Sequence, residues 1–214
     1  MEIAIRSLTS KQLKNLTLDE RADILEEMYL EDWSETPGWR TIPKKVRLEF
    51  QGEKLSQEAS SEIYDSALML YLKDKLRAVS NSYLITDLAK IGITVAEIIG
   101  GPIELYPCPC CGSRTLDELA SYDICRVCWW EDDGQDNHNA DTAYGGPNYG
   151  ISLTQARYNY LTQGIYDPSR KDLVKLKEPK NMYIKRRFRI AQLKINLHFV
   201  HSDTNNLANV NIFI

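Results

Sequence analysis

All five cysteines of this 214-residue chain lie between Cys108 and Cys128. Four of them form two C-x2-C pairs, Cys108/Cys111 and Cys125/Cys128, with thirteen residues between the pairs. In such a pair one tight turn offers two sulfurs to the same ion, and a second pair supplies the other two corners of a tetrahedron. A separation of roughly 15–20 residues is usual for such sites. Thirteen is slightly short of that and still permits a small hairpin to bring the pairs together. Four thiolates in this arrangement favour zinc over harder cations. Cys110 occupies the variable position of the first pair and is expected to point away from the ion.

Other uses of the thiols fit less well. A thioredoxin-like pair would open a helix after a strand, whereas Cys108 follows the punctuated stretch "GGPIELYP" and precedes Gly112. A disulfide framework is disfavoured by the odd cysteine count and by the expected cytoplasmic setting. A nucleophilic cysteine needs a base, and His138 is the one histidine in this region. A four-cysteine site is closed, with no position left for water, so the ion is expected to be structural. One zinc per chain, held by Cys108, Cys111, Cys125 and Cys128, would stabilise a segment too small to bury much core.

The pattern on either side divides the chain in three, and the expected class is α+β. Residues 1–100 read as helical. Thr17 and Glu20 have the spacing of a capping box before Ile24, Leu25 and Met28. Pro37-Gly38 marks a turn. A longer helix is expected from about Gln57, with Tyr64, Leu68, Leu72, Leu76 and Val79 on one stripe. Asn81 is the candidate cap of a shorter helix ending near Gly92. Residues 106–179 hold a small zinc-ribbon-like segment and one helix, with Ser152/Gln155 as a second capping box and Gly164 as its stop. Residues 180–214 form a tail in which "LKINLHF" and "NVNIFI" alternate with strand period, so a β-hairpin is expected there.

Charge is unevenly distributed. The net charge is −4, but the tail from Lys180 holds six Lys/Arg against one acid, leaving +5 there and −9 on the rest. The N-terminus lacks the basic and apolar regions of a secretory leader, and no apolar run approaches a membrane span, so a cytoplasmic location without membrane contact is expected. "WWEDDGQDNHNAD" follows the second cysteine pair. It lacks the residue order of a calcium loop and reads as an acidic, solvated segment. Trp129, Trp130, Glu131, Asp132 and Asp133 are its candidate partner-binding residues, one tryptophan packing on the metal turn.

Three stretches together, "YPCPCCG", "YDICRVCWWEDDG" and "GGPNYGISLTQARYNYLTQG", resemble the bacterial cysteine-rich CPCC family. The likeness runs from about Tyr106 to Gly164. Cys108, Cys111, Cys125, Cys128, Trp130, Glu131, Asp132, Asp133, Asn148, Ser152, Leu153, Ala156, Arg157 and Asn159 stand at its motif positions. The resemblance implies a small zinc-binding domain without an established enzymatic activity, and an association with candidate immunity proteins that neutralise bacterial toxins. The residues and the resemblance together point to a non-enzymatic, zinc-stabilised protein-binding module whose partner is a basic protein such as a toxin domain. A nucleic-acid-binding zinc ribbon using Lys185, Arg186, Arg187 and Arg189 is the alternative. A metal-dependent hydrolase built on His138 with Asp132, Asp133 or Asp136 is a third.

Overall fold

The computed structural model of the chain describes residues 1–52, 55–175 and 177–186. It is of mixed α+β class, and its described residues fall in two compact units: Met1–Leu105 with Pro179–Ile184, and Tyr106–Glu178 with Lys185 and Arg186. The expected C-terminal hairpin lies outside the described residues.

The first unit is helical: α1 (Glu2–Asn15), α2 (Leu18–Leu30), α3 (Lys44–Phe50), α4 (Asp65–Leu76) and α5 (Asn81–Lys90). The Thr17–Glu20 capping box opens α2. Thr17 Oγ1 accepts from the Glu20 amide at 3.2 Å, and Glu20 Oε2 accepts from the Thr17 amide at 2.8 Å. Two donors that the helix leaves unpaired are thereby satisfied. The core gathers Leu25, Met28, Trp33, Trp39, Ile42, Val46, Phe50, Tyr64, Leu68 and Tyr71. Gly38 turns the chain into this core with φ +97°, and a Cβ there would meet Leu70 Cδ1 at 3.1 Å. Only glycine takes that backbone and that space at low cost.

Two helix starts differ from the sequence reading. The helix expected from Gln57 begins at Asp65, after a 3-10 turn at Glu62–Tyr64. The Ala59 and Ser61 carbonyls are taken by Arg21, whose Nε and Nη2 donate to them at 2.7 and 3.2 Å. The Gln57 amide donates to the Tyr64 hydroxyl at 3.1 Å. Groups needed for an earlier helical turn are thus already committed to tertiary bonds. At α5, Ser80 rather than Asn81 is the cap, accepting from the Tyr83 amide. The Asn81 side chain donates instead to the Ile98 and Gly100 carbonyls. The Tyr64–Val79 stripe does face the core, with Leu72 partly buried. Pro179–Ile184 joins this unit: the Ser80 amide donates to the Met182 carbonyl at 2.8 Å, and Val79 bridges Tyr183.

The second unit has little regular structure. Strands β1 (Tyr106–Pro107) and β2 (Arg114–Leu116) pair antiparallel around the first cysteine turn. Helix α6 (Leu153–Gln163) packs Leu153, Ala156 and Tyr160 inward, and α7 (Lys171–Val174) is one turn. Ser152 caps α6 by accepting from the Gln155 amide, while the Gln155 side chain donates to Asn159. Gly164, at φ +76°, ends the helix by donating to the Tyr160 carbonyl at 2.8 Å. Among the described residues, no helix is long and apolar enough to cross a membrane.

Candidate metal centre

The two cysteine pairs sit on two copies of one turn. In the first, the Gly112 amide donates to the Cys108 carbonyl at 2.9 Å and the Cys108 amide to the Ser113 carbonyl at 2.8 Å. In the second, the Trp129 amide donates to the Cys125 carbonyl at 2.7 Å and the Cys125 amide to the Trp130 carbonyl at 2.9 Å. The residue after each second cysteine is left-handed, Gly112 at φ +77° and Trp129 at φ +67°. Glycine adopts this conformation freely, whereas for tryptophan it is strained. The shared left-handed position is hidden in the sequence because only one copy uses glycine there.

These turns bring Cys108, Cys111, Cys125 and Cys128 together, their Sγ atoms all within 4.8 Å of one another and all buried. Cys108–Cys128 and Cys111–Cys125 are each 3.6 Å apart. A tetrahedral site with metal–sulfur bonds of about 2.3 Å has sulfur–sulfur edges of about 3.8 Å. The cluster therefore fits one ion coordinated by four sulfurs. Cys110, also buried, is not part of the group. Further donors approach the sulfurs: the Thr115 hydroxyl lies 3.1 Å from Cys125 Sγ, and the Ser113 amide 3.5 Å from Cys111 Sγ.

Thiol acidity in the cluster is strongly perturbed. Burial pushes Cys108 and Cys128 well above the ordinary thiol range, with neighbouring cysteines adding to the effect. Burial acts on Cys125 in the same direction, but hydrogen bonds from Cys108, Cys111, Cys128 and Thr115 outweigh it and hold this thiol well below that range. Four close, buried sulfurs cannot all ionise without a cation among them. A thiophilic divalent ion is the group whose charge would let them do so.

The motif positions around the centre have assignable work. Asn159 Nδ2 donates to the Tyr166 carbonyl at 2.7 Å, and the Tyr166 amide donates to the Cys128 carbonyl at 2.9 Å, so α6 supports the second turn. Trp130 is fully buried, edge-on to Tyr166 with ring centroids 6.1 Å apart. Asn148 clamps Glu131, donating to its carbonyl at 2.9 Å and accepting from its amide at 3.2 Å, and also donates to Asp133 Oδ2. Arg157 Nε donates to the Pro109 carbonyl at 2.9 Å, inside the first cysteine turn.

This geometry corrects the expected partner surface. Trp130 and Asp132 are interior, Asp132 being only 2% exposed. Asp132 Oδ2 accepts from the Ala120 amide at 2.8 Å and Oδ1 from the Gly134 amide at 3.3 Å. Burial raises its pKa, against the pull of those two bonds. Trp129, Glu131 and Asp133 are half-buried, and Asp133 accepts from Gln135 and Asn148. The first half of the segment is a bonded turn, whereas Asp136, Asn137, His138 and Asp141 are exposed as a solvated loop would be. The exposed apolar residues lie just before it: Leu119 at 53%, Tyr122 at 60% and Ile124 at 48%. A sequence reading misses them because small polar and acidic neighbours give no periodic signal. His138 is exposed and, among the described residues, joins no group able to hold a metal.

Residues 106–181 match the model of a family described as Cysteine-rich CPCC. No curated protein and no solved structure matches the chain.

Proposed function

We propose, taking residues 106–181 as a cysteine-rich CPCC segment, that the four-cysteine cluster holds one structural zinc ion and that the unit built on it is a non-enzymatic protein-binding module. The observation that carries the zinc reading is the set of four buried sulfurs spaced as a tetrahedral site requires. All four positions are filled by protein, so no coordination site remains for a substrate or water. The ion's role is to hold a fold whose two strands are two and three residues long. Such a hairpin is at best marginally stable alone.

Charge and exposure support the binding reading. Between Asp117 and Asp141 the chain has eight carboxylates and one arginine, Arg126. Leu119, Tyr122 and Ile124 are exposed within that acidic stretch. Exposed apolar side chains interspersed with carboxylates along the chain suit a cationic protein, steered by charge and held by aromatic contact. Neutralisation of a basic bacterial toxin by this cytoplasmic module is the biological form we propose.

The test has two parts. Purified protein should contain about one zinc per chain, lost in Cys108→Ser and kept in Cys110→Ser. Equal loss in both variants refutes the ligand set. Tyr122→Ala should weaken capture of a cationic protein partner by about tenfold or more, while mixed DNA and RNA should show no retention in a gel shift at near-physiological salt. Tight nucleic-acid retention that survives Tyr122→Ala and disappears in Lys185→Gln/Arg186→Gln would replace the protein-binding reading with the nucleic-acid one.

A further inference from the structure

A zinc ion with four thiolates carries a net charge of about −2. This charge would sit among fully buried sulfurs, where an uncompensated ion is costly. We infer that Arg157 is the charge partner of the centre, a positioning residue outside the ligand set that raises its affinity for zinc. The inference rests on the zinc reading above.

Three observations carry it. Arg157 lies on α6, and its Nε donates to the Pro109 carbonyl at 2.9 Å. Pro109 lies between Cys108 and Cys110, so this bond fixes the guanidinium against the first cysteine turn. The side chain is also largely withdrawn from water, which pushes its pKa down, and the Cys110 and Cys108 thiols and Asp136 act on it in the opposite direction. Desolvation of this kind strengthens the field a fixed cation exerts on the sulfurs.

A second cation is held by a different element of the unit. Lys185 bridges Ser113 in the backbone, and its Nζ donates to the Tyr160 hydroxyl at 2.8 Å. That hydroxyl lies within the field of Cys111, Cys128 and Cys125. The Arg186 amide donates to the Gly112 carbonyl at 2.8 Å, pinning this strand to the first turn. The opening of the basic tail is therefore tied to the cysteine turn, and Lys185 reaches the centre through the Tyr160 hydroxyl rather than through the turn itself.

Outer partners of a metal site commonly change its affinity by about 10–100-fold. The experiment measures zinc affinity of the full chain by competition with a chelator. Arg157→Gln should bind zinc about tenfold more weakly, or weaker still. Arg157→Lys, which keeps the charge, should stay within about threefold of the unsubstituted protein, and Lys185→Gln should lie between. Lys90→Gln, a surface change in the helical unit, should leave affinity unaltered. Cobalt-loaded Arg157→Gln should retain the sulfur-to-cobalt absorption of a four-sulfur site, separating lost charge from lost coordination. Unchanged affinity in Arg157→Gln overturns the inference, as does an equal loss in Arg157→Lys. If Arg157→Gln does not fold, Arg157→Lys decides alone, because a tenfold loss there means that geometry rather than charge is at work. An unsubstituted protein that binds no zinc removes the reading of the centre itself, before any variant is compared.

Discussion

Replacing Asp132 by alanine removes a carboxylate that accepts two hydrogen bonds, at a residue whose backbone makes two more. Its side chain accepts from the Ala120 and Gly134 amides at 2.8 and 3.3 Å, its amide donates to the Asp123 carbonyl at 2.9 Å, and its carbonyl accepts from the Tyr122 amide at 3.0 Å. The loop so held contains Ala120 at φ +55° and Tyr122 at φ +66°. Non-glycine residues in this region cost of order 1 kcal/mol each, so the loop keeps its shape only while those bonds hold it. Losing the short charge-assisted bond costs about 1.5–3 kcal/mol, and the long one contributes less. Removing a buried carboxylate returns part of that. We therefore expect Asp132→Ala to destabilise the cysteine unit by about 2–3 kcal/mol, a fall of roughly 10–20 °C in its midpoint.

Asp132→Asn separates bond from charge. Its amide oxygen can still accept from Ala120, while its NH2 faces the Gly134 amide and forfeits the weaker bond. The expected cost is below about 1 kcal/mol. The pH dependence has a definite sign. Burial raises the Asp132 pKa above its ordinary value of 3.8, so between that value and the raised one the folded state binds more protons than the unfolded state. This contribution to stability falls as pH rises through the window, and Asp132→Asn lacks it. The asparagine variant should therefore gain on the unsubstituted protein as pH rises through the window and hold a constant margin above it. Denaturation across pH measures the margin, and amide exchange at Ala120 reads the bond directly. Equal destabilisation by both variants, or unaltered Ala120 protection in Asp132→Ala, would refute the reasoning.

The two tryptophans should differ sharply. Trp130→Ala empties a fully buried site against Tyr166 and should cost about 3–5 kcal/mol, whereas Trp129→Gly relieves a left-handed tryptophan and should cost under about 1 kcal/mol or stabilise; chemical denaturation of both variants checks this. Chelating the metal should raise amide exchange across Tyr106–Glu178 while the helical unit keeps its protection, since a structural zinc contributes on the order of 10 kcal/mol to a small fold; simultaneous loss in both units would contradict separate cores. In the helical unit, Arg21→Ala should cost about 2–3 kcal/mol by freeing the Ala59 and Ser61 carbonyls and the 2.8 Å pair with Asp65, read as a lower midpoint of that unit.

Sequence alone determined the features whose causes lie within a few residues. Thr17 and Glu20 are three apart and close a capping box, both partners lying within one helical turn. Gly164 stops α6 because its own backbone permits the left-handed turn. Each C-x2-C pair fits a single turn, which is why the four clustered cysteines could be named and Cys110 set aside. What depends on distant partners was not legible. Arg21 takes the carbonyls of a helical turn 38 and 40 residues away and delays α4. Asp132 read as a surface group because its neighbours are acidic, yet its carboxylate is buried on the Ala120 amide, and which of the two tryptophans packs inward was decided only where Trp130 meets Tyr166 in the folded chain. The left-handed residue common to both cysteine turns was not legible, because Trp129 occupies the position that Gly112 fills in the other copy. Arg157 stood at a motif position without a role until α6 carried it to the Pro109 carbonyl, 48 residues back. Covalent spacing writes local turns into the sequence, whereas burial and long-range charge arise from contacts that only the tertiary fold creates.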